Sequence, residues 1–238
     1  MNFLFCEAMA DQKHYLANTI QSCYFLPMND NILDVWTSST AVDTTYTVIP
    51  DGCRDLIMCK STGHAPIWSV SPLFDQAKTI SARASTEFIG FRMKPGVRFN
   101  EHGLLDSIKD QDINGIKSRL ADFTRRQDNL EEILSCLSSD INSASNAAKH
   151  LGVSLRTLQR ELIRETGRSP IYWILLARAR KAARDMFDII SHAEIAYKYG
   201  YSDQAHLCRE IKRWFNINPS KLKLSDEIFS QINSSGYS

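Results

Sequence analysis

Apolar and polar residues follow two different periods along the chain. Between about residue 24 and residue 95, short runs of β-branched and aromatic residues alternate with turn formers such as Pro50, Asp51 and Gly52. Runs of this kind predict strands at 32–37, 44–49, 53–59, 66–70 and 86–93. Several short, closely spaced strands indicate a small β-sandwich or barrel-like domain.

After about residue 101 the apolar residues recur every three or four positions, which is the period of a helix. Two helices are predicted at 115–126 and 128–141, and a shorter one is predicted at 10–22. The first two share an apolar stripe that needs a partner, either the β-rich part of the chain or a second subunit. We favour the β-rich part, because the stripe is short and its heptad spacing is not sustained.

The predicted fold class is α+β. The polar stretch 138–145 marks a domain boundary, and the end of the chain is polar and lacks Lys and Arg. The expected parts are a β-rich sensory or regulatory domain over 1–112, a helical linker over 113–142, an all-α double helix-turn-helix domain over 143–224 and a flexible tail over 225–238.

The all-α part is predicted from a pattern that occurs twice. Residues 146–162 and 193–211 each contain a short helix that ends near a glycine, then one apolar residue, a serine and a longer basic helix. A glycine directly after a helix permits the left-handed turn. Ser154 and Ser202 are predicted to be the N-caps of the two longer helices. This is the helix-turn-helix pattern.

Helical spacing divides the residues of each unit between an inner and an outer face. The predicted inner residues are Ala147, Leu151, Val153, Leu158 and Leu162 in the first unit, and Ile195, Ala196, Tyr199, Tyr201, Leu207, Ile211 and Phe215 in the second. The candidate DNA-binding residues are Ser154, Arg156, Thr157, Gln159, Arg160, Arg164, Gln204, Ala205, His206, Cys208, Arg209, Lys212 and Arg213.

The outer side chains suit the major groove of DNA. Arg bonds bidentately to guanine and Gln bonds bidentately to adenine, whereas Lys or Arg on the flank of a helix neutralises phosphates. A single arginine of this kind is ordinary on a solvated helix face. The same arrangement in two units with the same spacing favours DNA binding.

The distribution of charge agrees with this interpretation. Residues 143–224 hold 15 Lys and Arg against 7 Asp and Glu, although the net charge of the whole chain is only +1. A basic segment joined to an acidic remainder indicates that only the basic part meets a polyanion. Hydrophobic residues make up 43% of the chain and charged residues 23%, which argues against a disordered or fibrous protein.

Residues 146–170 and 200–223 resemble the two helix-turn-helix units of the AraC/XylS family of bacterial transcription regulators. Arg178 and Ala182 are similar to the R-x-x-x-A of the long helix that joins the two units in that family. The resemblance implies a sequence-specific transcription regulator that is not an enzyme. Its two recognition helices would occupy successive major grooves about 34 Å apart.

The partners expected for such a protein are double-stranded DNA and RNA polymerase. Both units lie in one chain, which leaves a monomer and a homodimer open. Three residues depart from the family pattern: Leu207 and Ile211 stand where aromatic residues are usual, and Asn216 replaces the usual glycine. Leu and Ile still fill a core, and Asn tolerates the left-handed conformation.

Residues 48–58 and 90–99 resemble the short cupin-like sensory domain of one branch of the same family, which implies a small-molecule effector. The candidate ligand-binding residues are Trp36, Tyr46, Arg54, Trp68 and Arg92. They are chosen by residue type and location, and aromatic residues also fill small β cores. No cofactor and no metal are expected, because the cysteines and histidines lack ligand spacing.

Two other functions are weighed against the regulator. The six cysteines leave open a thiol-based redox sensor on the same scaffold. A DNA-repair enzyme fused to a DNA-binding module would need a nucleophilic cysteine in a Pro-Cys-His-type setting and a four-cysteine zinc site, and the sequence has neither. The chain shows no signal-peptide pattern and no apolar run of membrane length, so we expect a cytoplasmic protein without a membrane partner.

Overall fold

The computed structural model describes residues 21–22, 30–109, 111–139, 143–188 and 190–238. Most of the helix predicted at 10–22 lies outside these residues. Its last two residues, Gln21 and Ser22, form a short strand. In chain order the elements are β1 Gln21–Ser22, β2 Ile32–Thr40, β3 Thr44–Val48, β4 Asp55–Ser61, β5 Ile67–Val70, β6 Lys78–Ala82, β7 Thr86–Met93, β8 Arg98–Phe99, α1 Glu101–Ser107, α2 Ile113–Phe123, β9 Thr124–Arg125, α3 Leu130–Ser138, α4 Ala144–His150, α5 Leu155–Thr166, α6 Pro170–Asp185, α7 His192–Lys198, α8 Gln204–Phe215, α9 Pro219–Leu222 and α10 Asp226–Asn233.

The α+β fold class is confirmed, with strands in the first part of the chain and helices in the second. Five strands form an antiparallel sheet in the order β1-β2-β7-β4-β5, and β3 pairs with β6 in a separate ribbon. The sequence predicts β2, β3, β4, β5 and β7 but misses β6. Four of the five residues of β6 are exposed, so this strand lacks the apolar alternation of a half-buried strand.

A first apolar cluster belongs to the β-rich part of the chain. Its buried members are Ile32, Leu56, Phe91, Met93, Val97, Leu104, Ile108, Ile116 and Leu120. The last two lie on one face of α2. The β-rich part is therefore the partner of α2, as expected. The expectation is wrong for α3, whose buried residues belong mainly to the helical cluster, because long-range packing decides what covers an apolar helix face.

A second cluster holds the helical part together and begins earlier than residue 143. Leu130, Ile133 and Leu137 of α3 are buried in it, together with Ile49 and Ala77 from the β-rich part. The linker predicted over 113–142 is thus divided between the two clusters. A fragment cut at residue 143 would lose α3 and expose the surface that α3 covers. Among the described residues, no helix is long and apolar enough to span a bilayer.

The tail over 225–238, which composition predicts to be flexible, instead forms α10 and returns to the second cluster. Ile228, Ile232 and Tyr237 are buried. The Tyr237 ring packs edge-on against Trp173 with ring centroids 4.9 Å apart, and its hydroxyl donates to the carbonyl of Leu134 at 3.0 Å. The prediction of flexibility is wrong because the average polarity of the tail hides two apolar residues four positions apart on one helix face.

Three segments meet around the side chain of Arg180, which is fully buried. Its Nη1 donates to the carbonyl of Pro50 at 3.2 Å, and its Nη2 donates to the carbonyls of Gln231 and Ile232 at 3.4 and 3.1 Å. Burial lowers the pKa of the Arg180 guanidinium. We call residues 50–53, Arg180 and residues 231–238 the domain joint.

Truncating the aromatic side chain in the tail should destabilise the whole protein. Tyr237 is 4% exposed and Tyr197 on α7 is 90% exposed, so the two Tyr→Ala variants form a matched pair. We expect Tyr237→Ala to lower the free energy of unfolding by about 3 kcal/mol, because it leaves a cavity beside Trp173. Tyr197→Ala should change it by no more than about 0.5 kcal/mol. Urea denaturation followed by tryptophan fluorescence measures both, and equal effects would contradict the packing of the tail.

Candidate nucleic-acid interface

The helix α5 begins where the sequence predicts. Ser154 is its N-cap, and the Ser154 hydroxyl oxygen accepts a hydrogen bond from the backbone N–H of Thr157 at 3.1 Å. The side chain thereby satisfies one of the free N–H groups at the start of the helix. At the other end Gly167 adopts the left-handed conformation with φ of 71°.

The helix α8 begins one residue later than predicted. Its N-cap is Asp203, whose carboxylate accepts from the backbone N–H of His206 at 2.6 Å. Ser202 precedes the cap and contacts the His206 ring instead. The pattern could not separate Ser202 from Asp203, because both residue types are good N-caps. Asn216 ends α8 in the left-handed conformation with φ of 53°, as expected for the residue that replaces a glycine.

The two turns before these helices have the same geometry. Gly152 and Gly200 both have φ of 67°. In each turn the residue after the glycine donates its N–H to the helix before it: Val153 to Ala148 at 3.0 Å, and Tyr201 to Ala196 at 2.9 Å. This is the Schellman ending of a helix, and it requires a residue that tolerates positive φ.

The matching caps place equivalent residues of α5 and α8 in the same register. Thr157 and His206 are the third residues of their helices, and each donates its N–H to the N-cap side chain. Arg160 and Arg209 are both sixth. The two units therefore present their side chains from equivalent positions.

Six of the candidate DNA-binding side chains are exposed and unengaged. Within the described part of the chain, no hydrogen bond or ion pair is recorded for the side chains of Arg156, Gln159, Arg160, Gln204, Arg209 and Lys212. Ala205 is also exposed, and Cys208 is half-buried. Binding DNA with these exposed side chains breaks no protein contact that the structure shows.

Two candidate arginines already have protein partners. Arg164 donates from Nε to Glu165 and from Nη2 to the side-chain oxygen of Gln127 at 3.3 Å. Arg213 Nη1 lies 3.2 Å from both carboxylate oxygens of Glu210. DNA contact by these two guanidinium groups would compete with those pairs.

Most of the predicted inner residues are buried. The buried ones are Ala147, Leu158, Leu162, Ile195, Ala196, Tyr201, Leu207, Ile211 and Phe215, while Leu151 and Tyr199 are half-buried. Val153 is the exception, with 36% of its surface exposed. The prediction for Val153 is wrong because this residue belongs to the turn between α4 and α5, where helical spacing no longer determines which side chain faces inward.

The sequence of this helical region matches known proteins. Residues 147–224 match a family model described as a helix-turn-helix domain. The chain is 33% identical over 89 residues to the HTH-type transcriptional activator RhaS of Escherichia coli (strain SE11), a match that covers 35% of this chain and 31% of RhaS. The match shows a helix-turn-helix domain similar to the one in this activator.

Solved structures of similar proteins include two that differ in coverage. An AraC-type regulator from Chromobacterium violaceum is 25% identical, with a TM-score of 0.38, over 45% of this chain and 95% of that one. ToxT from Vibrio cholerae O395 is 11% identical, with a TM-score of 0.45, over 86% of this chain and 97% of that one. The matched region spans about a third of the RhaS relatives' length, and it corresponds to the helix-turn-helix domain over 147–224.

Outside the helix-turn-helix domain, two of the candidate ligand-binding residues share a half-buried cluster. The Trp36 indole N–H donates to Asp55 Oδ2 at 2.9 Å. Arg92 Nε lies 3.4 Å from Asp51 Oδ2 and 3.5 Å from Asp55 Oδ1, and its Nη1 donates to Ser234 Oγ at 3.3 Å. Burial raises the pKa of Asp55, although Arg92 opposes this effect. These contacts connect the sheet to the tail at the domain joint.

The other three candidates have separate partners. Tyr46 pairs with Ser38 at 3.4 Å, Arg54 with Ser71 at 2.8 Å and Glu101 at 2.6 Å, and Trp68 packs on Phe91 with ring centroids 6.5 Å apart. A small pocket lies elsewhere, between the β3–β6 ribbon and the end of α8. Its lining residues are Thr47, Ala77, Thr79, Phe215, Asn216, Ile217, Ser225, Glu227 and Ile228. None of the five candidates lines this pocket.

The described cysteines include three whose surroundings disfavour the thiolate. Burial raises the pKa of the thiols of Cys53, Cys136 and Cys208. A raised pKa reduces the fraction of thiolate, which is the reactive form. Among the described residues, no three His, Cys, Asp or Glu side chains lie close enough together to hold a metal ion.

The start of α8 can be tested with two neighbouring substitutions. Asp203→Ala removes the carboxylate that accepts the His206 N–H. It also removes a negative charge from the N-terminus of the helix. We expect it to lower the free energy of unfolding by about 1 kcal/mol. Ser202→Ala, beside it, should change the stability by less than about 0.5 kcal/mol. Urea denaturation of both variants distinguishes the caps, and a larger loss for Ser202→Ala would assign the cap to the serine.

Proposed function

We propose that this protein is a sequence-specific transcription regulator whose α5 and α8 enter successive major grooves of one DNA duplex. The observation that carries the proposal is the shared register of the two helices. Each is capped at the same position and presents an exposed, unengaged arginine as its sixth residue, Arg160 in α5 and Arg209 in α8. Successive grooves on one face lie about 34 Å apart.

The side chains on the two helices support different roles in this complex. Arg160 and Arg209 suit bidentate contact with guanine, and Gln159 and Gln204 suit adenine. Lys212 lies eight residues after the start of α8, where a cation meets the phosphate backbone and does not read bases. The basic excess of residues 143–224 attracts DNA of any sequence.

The β-rich part of the chain is proposed to regulate and not to catalyse. It contacts both helix-turn-helix units away from the exposed arginines. In the first unit Arg98 Nη1 of β8 lies 3.8 Å from Glu165 Oε2 of α5. In the second, the carbonyl of Trp214 of α8 accepts from the N–H of Ala77 at 2.7 Å. A change in the β-rich part would thus reach both recognition helices.

A small-molecule effector remains part of the proposal. We now expect it to bind in the pocket beside α8 and not among the five candidate residues. The five candidate ligand residues are engaged in protein contacts, whereas the pocket beside α8 includes Thr79 of the ribbon and Phe215 of the helix. A ligand bound there would touch the regulatory part and α8 at once. The RhaS relatives are named activators, so we also propose activation of transcription, with RNA polymerase as the partner.

Three substitutions in the full chain test how the helices read DNA. A preferred duplex is first selected from random sequences, and binding is then measured by fluorescence anisotropy over a range of salt concentrations. Arg160→Ala and Arg209→Ala should each weaken binding to it by about 1–3 kcal/mol, or about 5- to 150-fold, and relax the preference at particular bases. Lys212→Ala should weaken all duplexes alike and reduce the salt slope by about one.

A matched arginine far from the interface serves as the control. Arg119 on α2 pairs with Asp122, and Arg119→Ala should leave binding unchanged. Equal losses from all three interface variants, regardless of DNA sequence, would contradict base reading by α5 and α8. Failure of the folded wild-type chain to prefer any duplex would contradict the proposed function itself.

Regulation through the contacts of the β-rich part predicts a response at a distance from DNA. We expect the selected duplex to change amide hydrogen exchange in residues 71–79 and 124–129, which contact the helical part. A duplex of scrambled sequence at the same concentration is the control for charge alone. No change in these two segments, with clear protection in α5 and α8, would separate DNA binding from the β-rich part.

A further inference from the structure

The His206 side chain is held from two sides at the start of α8. Its Nδ1 lies 3.3 Å from the backbone nitrogen of Ser202 and 3.1 Å from the Ser202 hydroxyl oxygen. Its ring stands edge-on to Tyr201, with centroids 5.3 Å apart and planes at 88°. Tyr201 is itself only 6% exposed and lies beneath the guanidinium of Arg178 at 4.4 Å. The imidazole therefore has a defined orientation.

The contact with Ser202 selects one tautomer of the neutral ring. A backbone N–H can only donate, so Nδ1 of His206 must carry its lone pair toward Ser202. The proton of the neutral imidazole is then on Nε2. Within the described residues Nε2 has no recorded partner. The half-buried ring thus offers a single N–H donor from a fixed position.

That donor lies on the same side of α8 as the arginine proposed to read bases. His206 and Arg209 are three residues apart, which makes them neighbours on one face of a helix. The N-terminal residues of a recognition helix reach the base edges, and His206 is the third residue of α8. Because Nδ1 faces the Ser202 N–H, the ring can offer a hydrogen bond to DNA only through Nε2–H.

We infer that His206 determines DNA specificity by donating its Nε2–H to N7 of a purine in the groove occupied by α8. N7 is the acceptor that both purines share in the major groove, where guanine O6 and thymine O4 also accept and cytosine presents only a donor. Ser202 and Tyr201 act as positioning residues that hold the tautomer and the ring. This inference rests on the proposed function, since it requires α8 to lie in the major groove.

Duplexes in which single purines are replaced by 7-deazapurines test the inference in the full chain. Each replacement changes N7 to a C–H group and leaves the Watson–Crick pairing intact. In the α8 half of the selected duplex, we expect the replacement at the purine contacted by His206 to weaken binding by the wild-type protein about 5- to 12-fold, the effect of one lost hydrogen bond. The same replacement should have no effect on His206→Phe, which keeps a ring beside Tyr201 but lacks both nitrogens. Replacements at purines contacted by Gln204 or Arg209 also weaken binding, but they weaken it equally in the wild type and in a chain without the imidazole.

Two further variants secure the interpretation. His206→Leu provides a second chain without the donor in case the phenylalanine variant does not fold, as judged by thermal denaturation. Lys212→Ala should retain the full effect of the replacement, because its proposed contact is a phosphate. If the protein without the imidazole responds to every 7-deazapurine as the wild type does, the inference is overturned. Absence of any selected duplex would overturn the proposed function instead, so the two failures are distinguishable.

Discussion

The buried guanidinium of Arg180 is the constraint on which the arrangement of the chain depends. A charged group removed from water is costly unless hydrogen bonds replace its hydration. Here the replacements are backbone carbonyls from two distant segments, Pro50 in the loop after β3 and Gln231 and Ile232 at the end of α10. The loop and the tail must both be in place before the two terminal nitrogens of Arg180 on α6 have their hydrogen bonds. Three separate parts of the chain therefore fold as one unit.

This constraint matters for function because α6 joins the two helix-turn-helix units. Other contacts fix the same helix at its first turns, where the Tyr172 hydroxyl donates to the carbonyl of Phe74 at 2.9 Å and Arg168 lies 3.0 Å from Asp75. Both ends of α6 are thereby attached to the β-rich part. The relative position of α5 and α8 then depends on contacts outside the helix-turn-helix domain, and the proposed regulation of DNA binding would act through these contacts.

The two recognition helices divide their faces in the same way. One face carries exposed side chains such as Arg160 and Arg209, which have no recorded partner in the described chain. The opposite face is buried from the first turn onward, beginning with Leu158 in α5 and Leu207 in α8. A helix that is packed along one face and exposed on the other can present side chains to DNA without disrupting its own support.

Local chemistry in the sequence was sufficient to predict the helix-turn-helix units. Their signals depend on residues within one turn of each other: Gly152 after α4, Ser154 before α5 and Asn216 after α8 adopt the conformations that their types favour. The strand runs of the β-rich part were predictable for the same reason. The sequence could not separate Ser202 from Asp203 as the N-cap, because the backbone geometry decides between two suitable neighbours.

Only the tertiary structure decided how these parts are joined. The place of α3 in the helical core, the return of Tyr237 to Trp173 and the burial of Arg180 all connect residues far apart in the chain. Nothing in the local pattern marks Arg180 as buried, since arginines on the outer faces of α5 and α8 occur in equally basic helices. Periodicity reports which side of a helix is apolar, but the partner of that side is determined by long-range packing and by the cost of leaving a charge unsatisfied.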